Sequence, residues 1–93
     1  MNLDKAKKRI AKQVKKGFNG YPKITLAYYG ATKECATEVS VQFTLGEGDS
    51  VQEELFSCDT EIRDNELIQT TLLKIIERAN ANSVIEIEGV AVL

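Results

Sequence analysis

Residues 65–79 read NELIQTTLLKIIERA. Leu67, Ile68, Thr71, Leu72, Ile75, Ile76 and Ala79 recur at three- and four-residue intervals and draw one apolar stripe along a helix. Glu66, Gln69, Lys74, Glu77 and Arg78 fall off that stripe, where water is expected to reach them. A helix with one apolar side needs an apolar sheet face to cover, and the flanking sequence supplies the strands for it.

The clearest strand spans 37–45. Val39, Val41, Phe43 and Leu45 alternate with Glu38, Ser40, Gln42 and Thr44, so one sheet face is buried and the other is wet. Before it, 23–29 reads as a strand with Ile24, Leu26 and Tyr28 on one side and Thr25, Ala27 and Tyr29 on the other. The loop 46–50, GEGDS, carries two glycines for positive φ and joins the second strand to a third at 51–58. Glu53 and Glu54 in the middle of that third strand suit an edge position.

Asp59, Thr60 or Asp64 is expected to cap the long helix, and Asn80 and Asn82 to end it in left-handed conformations. A last strand follows at 83–93. There Val84, Ile85 and Ile87 alternate with Glu86 and Glu88, and Gly89 marks a bulge or a close backbone approach. Its apolar finish (Val90, Ala91, Val92, Leu93) is expected to be tied into the sheet or into a partner.

At the other end, Leu3, Ala6, Ile10 and Val14 place a helix over 3–16. Asn2 or Asp4 serves its start, Lys15 and Lys16 suit its negative end, and Gly17 stops it before a turn at 19–22. The reading is a single α+β domain over residues 1–93 with element order α-β-β-β-α-β. It is a two-layer sandwich: a three-stranded antiparallel meander, a C-terminal strand joined by a helical crossover, and both helices on one sheet face. The last strand runs parallel to the third and borders either the first strand or the third.

Composition narrows the function classes. The 93 residues, 43% hydrophobic and 28% charged, are those of an ordinary one-core protein. No apolar run is long enough to span a bilayer. The basic N-terminus lacks the serines of a transit peptide, and no secretory apolar segment follows it, so the expected compartment is the cytoplasm. There Cys35 and Cys58 are expected to stay free thiols. The chain has no histidine and no tryptophan, which removes the commonest acid–base and metal-binding side chain and argues against an enzyme. No cofactor or metal is expected.

Charge is divided unevenly. Residues 1–23 carry eight basic side chains against Asp4 alone, while 24–93 carry four basic and thirteen acidic ones. The summed charge of −2 therefore hides a segment near +7 on a body near −9. Lys5, Lys8, Arg9, Lys12, Lys15 and Lys16 are the candidate nucleic-acid-binding residues, because a basic helix neutralises phosphates. The competing reading is a solvated face that complements the chain's own acidic body. Double-stranded-RNA-binding domains share the order α-β-β-β-α, but they place lysines at the start of the second helix. Here that position holds Asp59, Glu61, Asp64 and Glu66 against Arg63, so the likeness stops at element order.

Other motifs carry less. GEGDS lacks the Gly-Lys-Ser/Thr ending of a phosphate loop, and Glu47 and Asp49 lack the spacing of a calcium loop. Cys35 is the only plausible nucleophile by position, with no histidine to activate it. Tyr28 and Tyr29 fall on opposite sheet faces, so one is expected at the surface, beside Thr25, Ser40, Gln42 and Thr44. The function expected is non-enzymatic: a small cytoplasmic module that binds another protein or itself, for example as a homodimer. The alternative is nucleic-acid binding through the basic helix. No membrane partner is expected.

Overall fold

Each helix starts on an asparagine. The Asn2 side chain accepts from the Lys5 N–H at 2.9 Å and opens α1 (Leu3–Lys15), which Gly17 closes at φ 71°. Asn65, not Asp59, Thr60 or Asp64, accepts from the Ile68 N–H at 2.9 Å and opens α2 (Glu66–Arg78). Asp64 lies instead in a 3-10 turn at Ile62–Asp64, which Glu61 caps. Asn80 ends α2 at φ 50°, as its tolerance of the left-handed region allows.

The computed structural model describes residues 2–93. Between and after the helices lie β1 (Lys23–Gly30), β2 (Glu38–Thr44), β3 (Gln52–Ser57) and β4 (Ser83–Val92). They form one sheet in the order β3-β2-β1-β4. β1, β2 and β3 make the antiparallel meander, and β4 runs parallel to β1 at the opposite edge from β3. The chain leaves one edge of the sheet at β3 and returns at the other through the 3-10 turn and α2. That settles the two positions open to the last strand in favour of the first-strand neighbour.

The pleat sorts the side chains. Ile24 stands opposite Phe43, Leu26 opposite Val41 and Tyr28 opposite Val39, which makes one continuous apolar row. Ile10 from α1 and Leu72, Leu73 and Ile76 from α2 share a core with that row and with Val84. Both helices therefore cover one face. α1 lies against α2 and β4, while Ile75 of α2 reaches Val41 and Phe43 on the far side.

Two details differ from the sequence reading. The buried stripe of α2 is Gln69, Leu72, Leu73 and Ile76, and Leu67 is 77% exposed. The helix is thus turned by roughly a quarter-turn, at 3.6 residues per turn, from the stripe its apolar residues suggest. Gln69 can occupy the interior because its Nε2 donates to the Ile62 carbonyl at 3.2 Å. On the open face, Ser40 and Thr44 are buried without a layer above them. Ser40 sits between Ala27 and Leu55 in register, and its hydroxyl donates to the Glu53 carboxylate at 2.7 Å. Leu45 lies beyond the end of β2 and is exposed.

Two close approaches fix the strand ends. A Cβ at Gly30 would collide with the carbonyl oxygen of Cys35, so the tight return toward β2 needs glycine there. The parallel start of β4 is held by Ser83, which is buried. Its hydroxyl accepts from the Asn19 N–H and donates to the Gly20 carbonyl, both at 2.6 Å. The Pro22 carbonyl accepts from the Asn82 N–H at 2.9 Å, and the Asn82 side chain donates to the Tyr21 carbonyl at 2.7 Å. Replacing Ser83 by Ala strands one donor and one acceptor in that turn. It is expected to lower stability by about 1–3 kcal/mol, read from urea unfolding at constant m-value.

Candidate functional site

The basic helix presents its cations in order. At 3.6 residues per turn, Lys5, Lys8, Arg9, Lys12 and Lys16 fall within roughly a third of the circumference, with Lys15 at its margin. All six are exposed, and Ala6 and Ile10 on the opposite side are buried. Among the described residues only Lys7 reaches a carboxylate of the body, Asp64 at 3.0 Å. The six candidate residues are thus brought together on one face, and none of them forms an ion pair among the described residues. The acidic β3 edge, with Glu53 and Glu54, lies at the other side of the sheet from β4, against which α1 packs.

The remaining sequence candidates are dispersed. Cys35 and Cys58 are free and half-buried, and Cys58 Sγ lies 3.1 Å from the Thr60 carbonyl. Gly46 to Ser50 forms the expected turn, closed by the Asp49 N–H donating to the Gly46 carbonyl at 3.0 Å. Tyr28 faces the helices and is buried, and Tyr29 is half-buried on the open face. Among the described residues, no group of three or more Cys, Asp or Glu side chains is placed to hold a metal ion, and no helix is long and apolar enough to cross a membrane.

A second feature is absent from the sequence reading: a cleft of about 370 Å³ between α1 and the middle of β4. Its origin is a register break. Leu26 pairs with Glu86 and Tyr28 with Val90, so Ile87, Glu88 and Gly89 together stand opposite Ala27. Gly89, at φ 79°, lets the strand swing outward there. The space it leaves beside α1 has Tyr28 and Gln69 at its floor and Ile10 and Val14 on its helical wall. Burial pushes the Tyr28 hydroxyl above its ordinary value, while the Gln69 amide beside it acts in the opposite sense.

Arg63 reaches the same cleft and is held there by Glu61. The Arg63 Nε donates to Glu61 Oε2 at 2.8 Å, and the Glu61 carboxylate also accepts the N–H of Arg63 at 3.0 Å and of Ala36 at 3.1 Å. Hydrogen bonding from the Arg63 side chain, set against a smaller cost of burial, lowers the Glu61 carboxyl from 4.5 to about 2. Gly89 is the one sequence signal that pointed here. Glu86, two residues along the strand from Val84 and so on its row, is a further signal that could have done so.

The Glu61 clamp has a pH signature. Its folded value lies below its unfolded one, so its contribution is complete above about pH 4.5 and is lost as pH falls toward about 2. Glu61→Gln is expected to cost about 1–2 kcal/mol at pH 7. The gap between wild type and variant should close progressively as pH drops through that window, measured by denaturant unfolding at each pH.

Comparison of the chain with protein-family models, curated proteins and solved structures finds no match.

Proposed function

We propose that this protein is a non-enzymatic binding module that associates with a second copy of itself. What carries the reading is the outward face of α1, where Lys5, Lys8, Arg9, Lys12 and Lys16 have no ion-pair partner among the described residues while acidic residues line the far sheet edge. Each patch also has apolar surface beside it: Phe18 just past α1, and Val51 and Leu55 at β3, all exposed. A two-fold arrangement that sets α1 of each copy on β3 of the other uses both patches twice and closes on itself. The free thiols agree with a cytoplasmic protein.

Sedimentation equilibrium at low salt is expected to give a dimer that dissociates as ionic strength rises. A strict monomer at high concentration and low salt overturns the reading. Charge reversal sharpens the test. Lys8→Glu with Lys12→Glu, and separately Glu47→Lys with Glu54→Lys, should each yield monomers. A mixture of the two variants should restore a dimer, because each like-charged contact becomes an opposite-charged one.

The unpaired cation stripe also favours a second reading, nucleic-acid binding through Lys5, Lys8, Arg9, Lys12, Lys15 and Lys16. The acidic body opposes it, since a polyanion is repelled everywhere but at α1. A gel-shift series against salt decides: retardation at low salt that falls steeply with ionic strength supports it, and no retarded band at any salt removes it.

A further inference from the structure

The cleft beside the β4 bulge is distinct from both docking patches. It presents two charged groups of opposite sign that do not meet. Lys15 and Glu86 both line it, yet they form no ion pair with each other. The other two charged lining residues are already committed, Lys7 to Asp64 and Arg63 to Glu61. The same cleft is lined by apolar side chains, Ile10 and Val14 from α1 and Ile87 from β4. The polar floor is the buried Tyr28, next to Gln69. A volume of about 370 Å³ is at the small end of ligand pockets, which run from roughly 300 to 1,000 Å³.

From this arrangement we infer that the cleft binds a small zwitterion with a hydrocarbon side chain, the chemistry of an apolar amino acid. The ligand carboxylate meets Lys15, its ammonium meets Glu86, and its side chain lies against Ile10, Val14 and Ile87. A ligand with one charge only would leave the opposite pole facing it without a partner. Both charges stay partly in water at the mouth, so neither pays the full cost of burial. Selectivity rests on offering both poles in one cleft that also has apolar lining.

The probes are L-leucine, isovalerate (its side chain and carboxylate without the ammonium) and isopentylamine (its side chain and ammonium without the carboxylate). Each is titrated into the full chain and followed by amide 1H–15N correlation spectra. L-leucine is expected to move the amides of Val14, Lys15, Tyr28, Glu86 and Gly89, and to bind about tenfold more tightly than either single-charge probe, a difference of about 1.4 kcal/mol. Glu86→Gln should bring L-leucine down to the affinity of isovalerate while leaving isovalerate unchanged. Lys15→Gln should bring it down to the affinity of isopentylamine. Both residues are exposed, so the fold is expected to tolerate the changes, and the comparison of the three probes on the unmodified chain stands without them. Equal affinity for all three probes, shifts confined to the open sheet face, or no shifts at millimolar L-leucine each overturns the proposal. Because Lys8, Lys12, Glu47 and Glu54 lie outside the cleft, failure of dimerisation leaves this result unaffected, and the reverse also holds.

Discussion

The parallel pairing of β4 with β1 is the constraint on which the rest of the molecule depends. A parallel neighbour cannot be reached by a tight turn, so the chain must cross the sheet between β3 and β4. That crossing is what puts α2 over the apolar row of Ile24, Leu26, Tyr28, Val39 and Val41. It also leaves α1 to fill the remaining area above β4. The pairing is pinned where it begins: Ser83 and Asn82 hold the 19–22 turn through both side chains and backbone. A fault there would loosen the sheet edge, the seat of α1 and the crossover together.

The register break in that pairing is even-numbered, and its parity matters. β1 advances two residues while β4 advances four, so Glu86 and Val90 both remain on the helix-facing row. An odd insertion would have turned every later side chain of β4 to the other face. With an even one, Val90 returns to pack against the core while Ile87 and Gly89 open beside α1. The cleft therefore costs the sheet only local pairing, and the apolar end of the chain is still tied in through the Leu93 N–H donating to the Gly30 carbonyl at 2.9 Å.

Much of this was legible in period alone. Strict alternation identified β2, the glutamate pair placed β3 at an edge, Gly17 and Asn80 ended the helices, and Gly89 marked the bulge. What period could not show was which flank of α2 would face inward. Its apolar residues cover more than one side, and the choice was made by α1, which takes up one flank, and by Ile62, whose carbonyl gives Gln69 a partner. The role of Glu61 was hidden for a similar reason. As sequence it reads as one more acidic residue before a helix. Its importance comes from the Arg63 guanidinium it holds, and from tying that pair to Ala36, twenty-five positions away, whose N–H it also accepts. Local pattern carries local structure, whereas a pocket lined from five elements is a property of their packing.

The charge division belongs to the same geometry. The strand order places the acidic β3 edge three inter-strand spacings from β4, on which α1 rests. At ~4.8 Å per spacing that is ~14 Å before the height of the helix layer is added. Screening at physiological salt has a length of about 8 Å, so the edge exerts little pull on the α1 cations of its own chain. Lys7 escapes this because Asp64, in the 3-10 turn ahead of α2, lies beside it, and that pair is the measure of what contact requires. Among the described residues, Lys5, Lys8, Arg9, Lys12 and Lys16 form no such pair. Within one chain the sheet order keeps the β3 carboxylates out of contact range of these cations. A second molecule is under no such restriction.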